Sequence, residues 1–143
     1  MTSLENPVAQ HLGYRMRRAS IILMGQAAQA AERFGLSITQ GTVLTLISAN
    51  PGCRQRDLCE ELGIKRANMT PIIAALEAQG LLDRAAIDGR SQAMRLTTKG
   101  RQLTAALLAD LEATDARINE VLAAEELSDL KRILARIERG LVP

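Results

Sequence analysis

The stretch from Gly52 to Gly100, GCRQRDLCEELGIKRANMTPIIAALEAQGLLDRAAIDGRSQAMRLTTKG, decides the fold. Leu58 and Leu62 place an apolar face on a short helix from Gln55 to about Leu62, and Gly63 supplies a turn steep enough to send the chain into a second helix. That second helix starts near Arg66, buries Met69, Ile72, Ile73 and Leu76, and stops at Gly80. Leu82–Ala86 and Ala93–Leu96 then read as two short strands around Ile87-Asp88-Gly89-Arg90-Ser91. Helix, turn, helix and β-ribbon in this order describe a winged helix-turn-helix, whose expected partner is double-stranded DNA.

Working outward, Asn50-Pro51-Gly52 ends a preceding helix, Gln40–Ala49, for which Thr39 is the expected cap and Val43, Leu46 and Ile47 the inward face. Before it, apolar residues at three- and four-residue steps predict a long helix from about Val8 to Phe34, closed by Gly35, after an extended arm Met1–Pro7. On the other side Thr97 is expected to cap a helix reaching about Leu122, and a last helix covers about Glu125 to Arg139. The stripes of these outer helices exceed what a small winged region can bury. The expected fold is therefore mainly α with a small β-ribbon, a single domain over 1–143. Segments 8–36 and 97–143 form a helical dimerisation region, and 37–96 forms the winged helix-turn-helix.

Composition agrees with packed helices. The 143 residues are 47% hydrophobic but only 1% aromatic, so the core must be aliphatic. Net charge is +2, unevenly placed. Residues 54–101 carry nine basic and six acidic side chains, whereas 102–143 carry five and eight, so the positive balance falls on the winged region. Two cysteines make no disulfide framework, and the absence of a signal peptide or long apolar run leads us to expect a cytoplasmic protein with no membrane partner. A lone His11, with no paired metal ligands, Gly-rich phosphate loop or nucleophile elbow, argues against an enzyme, a metal or a cofactor.

Gln40 with Val43-Leu44, Pro51-Gly52, Asp57-Leu58, Leu62-Gly63-Ile64, Thr70, Leu76-Glu77, Gly80-Leu81, Arg84, Asp88-x-Arg90 and Leu96-Thr97-x-x-Gly100 together resemble the MarR family of transcriptional regulators, over nearly the whole chain. The resemblance implies a triangular homodimer with interlocked terminal helices, each winged region reading half of a palindromic operator. It also implies a small, often phenolic or anionic, effector that releases the DNA. Two positions depart from the family: Lys65 stands where Ser is common, and Pro71 where Arg is common.

The candidate DNA-binding residues follow from this layout. Arg90 at the ribbon tip suits the negative minor groove, with Asp88 expected to orient its guanidinium by a forked pair. Arg84 and Arg95 flank the ribbon near phosphates, and Lys65, Arg66 and Asn68 begin the recognition helix. Its outward face, Ala67, Thr70, Pro71 and Ala74, is small and methyl-rich, fitted to thymine methyls, with Thr70 adding one hydrogen bond. Arg54, Arg56, Lys99 and Arg101 read as solvated cations before they read as contacts. The resemblance places an effector pocket beneath the first helix, where His11, Tyr14, Arg15 and Arg18 are the candidates.

Cys59 reads as an inert core thiol. Cys53, beside Arg54, is a candidate for a lowered pKa and reactivity. The leading function is thus a ligand-released repressor that switches by changing the spacing of two recognition helices about 34 Å apart. A cysteine-based redox regulator and a winged-helix adaptor that binds proteins instead of DNA are the alternatives.

Overall fold

The computed structural model describes residues 4–141. Helices α1 (Leu12–Glu32), α2 (Ile38–Ala49), α3 (Gln55–Leu62) and α4 (Arg66–Ala78) lead into strands β1 (Leu82–Ala86) and β2 (Gln92–Leu96). Helix α5 (Thr98–Ala116), a 3-10 turn (Arg117–Glu120) and α6 (Ala124–Gly140) complete the chain. The two strands pair antiparallel, with Leu82 opposite Leu96 and Ala86 opposite Gln92. The architecture is the expected mainly α fold with a β-ribbon. Met1–Ser3 of the expected arm lie outside the described residues.

Several boundaries differ from expectation, the first two for evident local reasons. The first helix begins at Leu12 instead of Val8, because Ala9 N–H bonds to the Asn6 carbonyl and His11 N–H to the Val8 carbonyl, closing turns after Pro7. Ser37, not Thr39, caps α2: its hydroxyl accepts from Gln40 N–H at 3.1 Å while the Gln40 side chain accepts from Ser37 N–H at 2.9 Å. This reciprocal Ser-x-x-Gln box satisfies two amides that would otherwise be orphaned. Helix α5 gives way to the 3-10 turn at Arg117, short of Leu122. The second strand includes Gln92, one residue earlier than expected.

Gly63 caps α3 with φ +62°, the left-handed conformation that lets the chain reverse into α4. Helix α4 starts at Arg66 as expected and continues through Pro71. Pro71 has no amide proton to give the Ala67 carbonyl one turn back.

Val43, Leu44 and Ile47 of α2, Met69, Ile73 and Leu76 of α4, Leu81, Leu82 and Met94 of the ribbon, and Leu107 of α5 are all at most 1% exposed. Each such side chain contributes about 1.5–3 kcal/mol by leaving water, so the winged region is anchored on α2 and α5. The ribbon is strapped to the segment before α3 as well. Gly52 N–H bonds to the Met94 carbonyl at 2.8 Å, and Met94 N–H to the Cys53 carbonyl at 2.9 Å.

The outer helices are packed differently. In this single chain α1 fully buries only Ala30 and Ala31, and α6 fully buries no residue. Leu12, Ile21, Ile22 and Met24 are each more than half exposed. No helix among the described residues is long and apolar enough to cross a membrane.

Candidate nucleic-acid interface

Helix α3, the start of α4 and the ribbon border a cleft of about 600 Å³. Five arginines line it: Arg54 and Arg56 at the start of α3, Arg66 at the start of α4, Arg84 on β1 and Arg90 on the wing. Asp88 is the one acidic residue on its wall. Such a concentration of cations in a concave surface produces the positive potential that a phosphate backbone requires. Arg54 and Arg56, which read as solvated charges in sequence, are gathered here because α3 begins beside the ribbon.

On α4 the expected face is found: Ala67, Thr70, Pro71 and Ala74 are exposed, while Met69, Ile73 and Leu76 on the other side are buried. Lys65, Arg66 and Asn68 are exposed around its first turn, and Lys65 makes no side-chain cap. The Thr70 hydroxyl is engaged within the protein. It donates to the Arg66 carbonyl at 2.9 Å and accepts from Gln55 Nε2 at 2.9 Å. Gln55 was not a candidate from sequence. Its bond spans fifteen residues between two helices, and no local periodicity signals such a contact.

The wing corrects one expectation. Asp88 does not hold the Arg90 guanidinium; its Oδ1 accepts from the backbone amides of Arg90 at 2.9 Å and Ser91 at 2.8 Å. The carboxylate thus builds the turn, as short acidic side chains do when they bond to amides two and three residues on. These two bonds, that to Arg90 first, hold the Asp88 carboxyl below the usual carboxylate range. Arg90 is exposed and enters no ion pair among the described residues.

Other cations are committed elsewhere. Arg84 donates to Glu77 of α4, which orients it along the base of the cleft. Lys99 donates to the Gln79 carbonyl at 2.9 Å, closing the C-terminus of α4. Arg101 donates to the Leu96 carbonyl and the Thr98 hydroxyl. The last two cations thus brace the junction of α5 with the winged region. Arg95 is exposed on β2.

Cys53 also departs from expectation. Burial, and then the charge of Asp57, push its thiol above the usual range, the opposite of activation by Arg54. Cys59 is half-buried against the core.

His11, Tyr14, Arg15 and Arg18 lie just before and along the first turns of α1. The Tyr14 hydroxyl accepts from Asn6 Nδ2 at 2.8 Å, while His11, Arg15 and Arg18 are exposed. None of the four lines the second cleft, of about 330 Å³, which lies further along between α1 and α5 and is bordered by Leu23, Ala27, Leu108 and Leu111. One chain alone does not gather them into a pocket.

Known proteins share this arrangement. Residues 34–91 match the MarR family model. The HTH-type transcriptional repressor Rv2887 of Mycobacterium tuberculosis is 29% identical over 128 residues, covering 88% of this chain and 92% of that one. The transcriptional repressor CouR, bound to a 23-mer DNA duplex, superimposes with a TM-score of 0.88 at 30% identity, covering 96% of this chain and 99% of CouR. CouR bound to p-coumaroyl-CoA gives 0.87 at 29% identity, covering 97% and 100%. With the helix-turn-helix, the wing and both outer helical segments thus matched end to end, the chain belongs to the MarR family of transcriptional regulators.

Proposed function

We propose that this regulator is a homodimeric repressor whose arginine-lined cleft and small apolar α4 face dock on a palindromic operator, and that an anionic effector releases it. The observation that carries the reading is the placement of five arginines between wing and recognition helix. In this reading α4 enters the major groove, with Lys65, Arg66 and Asn68 around its start and Ala67, Thr70, Pro71 and Ala74 against base edges. Arg90 enters the flanking minor groove, Arg54, Arg56 and Arg84 meet phosphates, and Asp88 shapes the wing.

Segments 8–36 and 97–143 form the dimer body in this proposal, with 37–96 as the reading head. Support comes from the exposed apolar side chains of α1 and from α6, none of whose residues is fully buried and whose Leu130 and Ile133 are exposed, since a monomer rarely leaves such a surface open to water. An effector anion would be held by Arg15 or Arg18, with Tyr14 or His11 giving a directional hydrogen bond, in a pocket completed by the second chain. CouR is known with p-coumaroyl-CoA, which makes aromatic acids and their CoA thioesters the first candidates for the effector here. No catalytic role is assigned to any residue.

The test is binding of full-length protein to duplexes selected from a random pool, followed by titration with aromatic acids and their CoA thioesters. Selected binding should weaken steeply between low and physiological salt. At least one of these ligands should both raise the melting temperature and release the DNA. Salt-insensitive or sequence-blind binding would defeat the reading.

A further inference from the structure

We infer that Gln55, acting with Thr70, is a sequence-reading residue, and that this pair selects adenine in the major groove. The inference rests on the DNA-binding reading above and goes beyond it in naming a reader on α3 and the polarity of the contact. A hydroxyl has one proton and two lone pairs. The Thr70 proton is given to the Arg66 carbonyl, so the Gln55 atom 2.9 Å from that oxygen must be its donor, Nε2. This fixes the amide orientation by hydrogen-bond logic alone.

The consequence is a directional surface. Thr70 has one lone pair left and no proton to offer, while the Gln55 amide, on a side chain that lines the cleft, keeps Oε1 as an acceptor and its second Nε2 proton as a donor. In the major groove adenine N6 and cytosine N4 are donors, whereas guanine presents only N7 and O6 acceptors and thymine an O4 acceptor and a methyl. The free acceptor and donor of Gln55 match adenine, which donates from N6 and accepts at N7, whereas guanine, with acceptors alone, would leave Gln55 Oε1 and the Thr70 lone pair facing lone pairs, which is costly. The methyl groups of Ala67, Thr70 and Ala74 on α4 suit the thymine partner of an adenine.

The experiment uses the full-length protein and its selected duplex. Each half-site adenine is replaced in turn by purine, which lacks the 6-amino group, or by 7-deazaadenine, which keeps it but lacks N7. Each cytosine is replaced by its 4-deamino analogue as a control. At one adenine per half-site, loss of the amino group should weaken binding about tenfold, and loss of N7 should weaken it as well, whereas no cytosine should show the effect. In Gln55→Leu and in the isosteric Thr70→Val that tenfold penalty should shrink to within about twofold, with repeat selection showing a relaxed preference at that position alone. Uniformly weaker binding with unchanged preference would overturn the inference and leave the DNA-binding reading standing, as would a position sensitive to N7 loss but not to amino loss. Failure of the wild-type protein to select any sequence would overturn both.

Discussion

A β-carbon at Gly100 would stand 1.9 Å from the Leu81 carbonyl oxygen and 2.9 Å from its carbonyl carbon. The same oxygen accepts the Thr97 amide at 3.1 Å, and Thr97 in turn donates its hydroxyl to the Gly80 carbonyl at 2.7 Å. The start of α5 is thereby pressed onto the end of α4, with no side chain between them. Neither side of this junction can slide without breaking these bonds.

Gly100→Ala should therefore destabilise the fold by about 1–3 kcal/mol or more, since the obstacle is backbone and cannot rotate away. Chemical denaturation of the two proteins side by side measures it. Equal midpoints would show that α5 can lift off Leu81 freely.

Arg90→Ala should weaken operator binding by about 1–3 kcal/mol and leave the melting temperature unchanged, because the side chain is exposed and supports no internal contact. Fluorescence anisotropy at physiological salt is the measurement. Undiminished affinity would take Arg90 out of the interface.

Asp88 should behave as a turn-former. Asp88→Asn keeps an acceptor for the amides of Arg90 and Ser91 and removes a negative charge facing phosphates, so it should bind DNA at least as tightly as the wild type; Asp88→Ala, losing the acceptor, should bind more weakly. The depressed carboxyl also sets a pH window. Stability from a carboxyl whose folded pKa lies below its unfolded value is present above the unfolded value, about 3.9, and is lost as pH falls through the folded one. The wing amides should thus keep their shifts in a pH-titrated NMR spectrum from neutrality down to about 4, and change only below.

Cys53 should be a poor redox sensor. Its thiol is pushed upward by burial and by Asp57, so little thiolate exists at neutral pH, and alkylation should be slow there and still be rising with pH past the usual thiol range. Moderate peroxide should leave operator affinity untouched. Rapid oxidation of Cys53 accompanied by DNA release would revive the redox alternative.

Folding and dimerisation should be coupled. If the exposed apolar residues of α1 and α6 meet across a two-fold axis, the melting temperature should rise with protein concentration. Sedimentation that finds a fully folded monomer at micromolar concentration would contradict the proposed body.

The winged region was legible in the sequence because its signals are local. Three-and-four spacing of Met69, Ile73 and Leu76 marks the buried face of α4, and the complementary exposed face follows by subtraction. Gly63 and Gly80 stop α3 and α4 because few other residues end a helix so cheaply, and turn residues between two β-prone runs mark the wing. Even the Ser37 cap is legible as Ser-x-x-Gln, a stronger signal than Thr39 because Gln40 stands three residues on to complete the box. What the tertiary structure alone decided depends on groups distant in sequence. The gathering of five arginines around one cleft, the use of Asp88 for backbone amides instead of a guanidinium, and the commitment of Lys99 to the end of α4 all arise when separate elements close on one another. The Gln55–Thr70 bond belongs with them. A side chain's type can be read from the sequence, but its remaining hydrogen-bonding capacity is known only after the fold has used some of it.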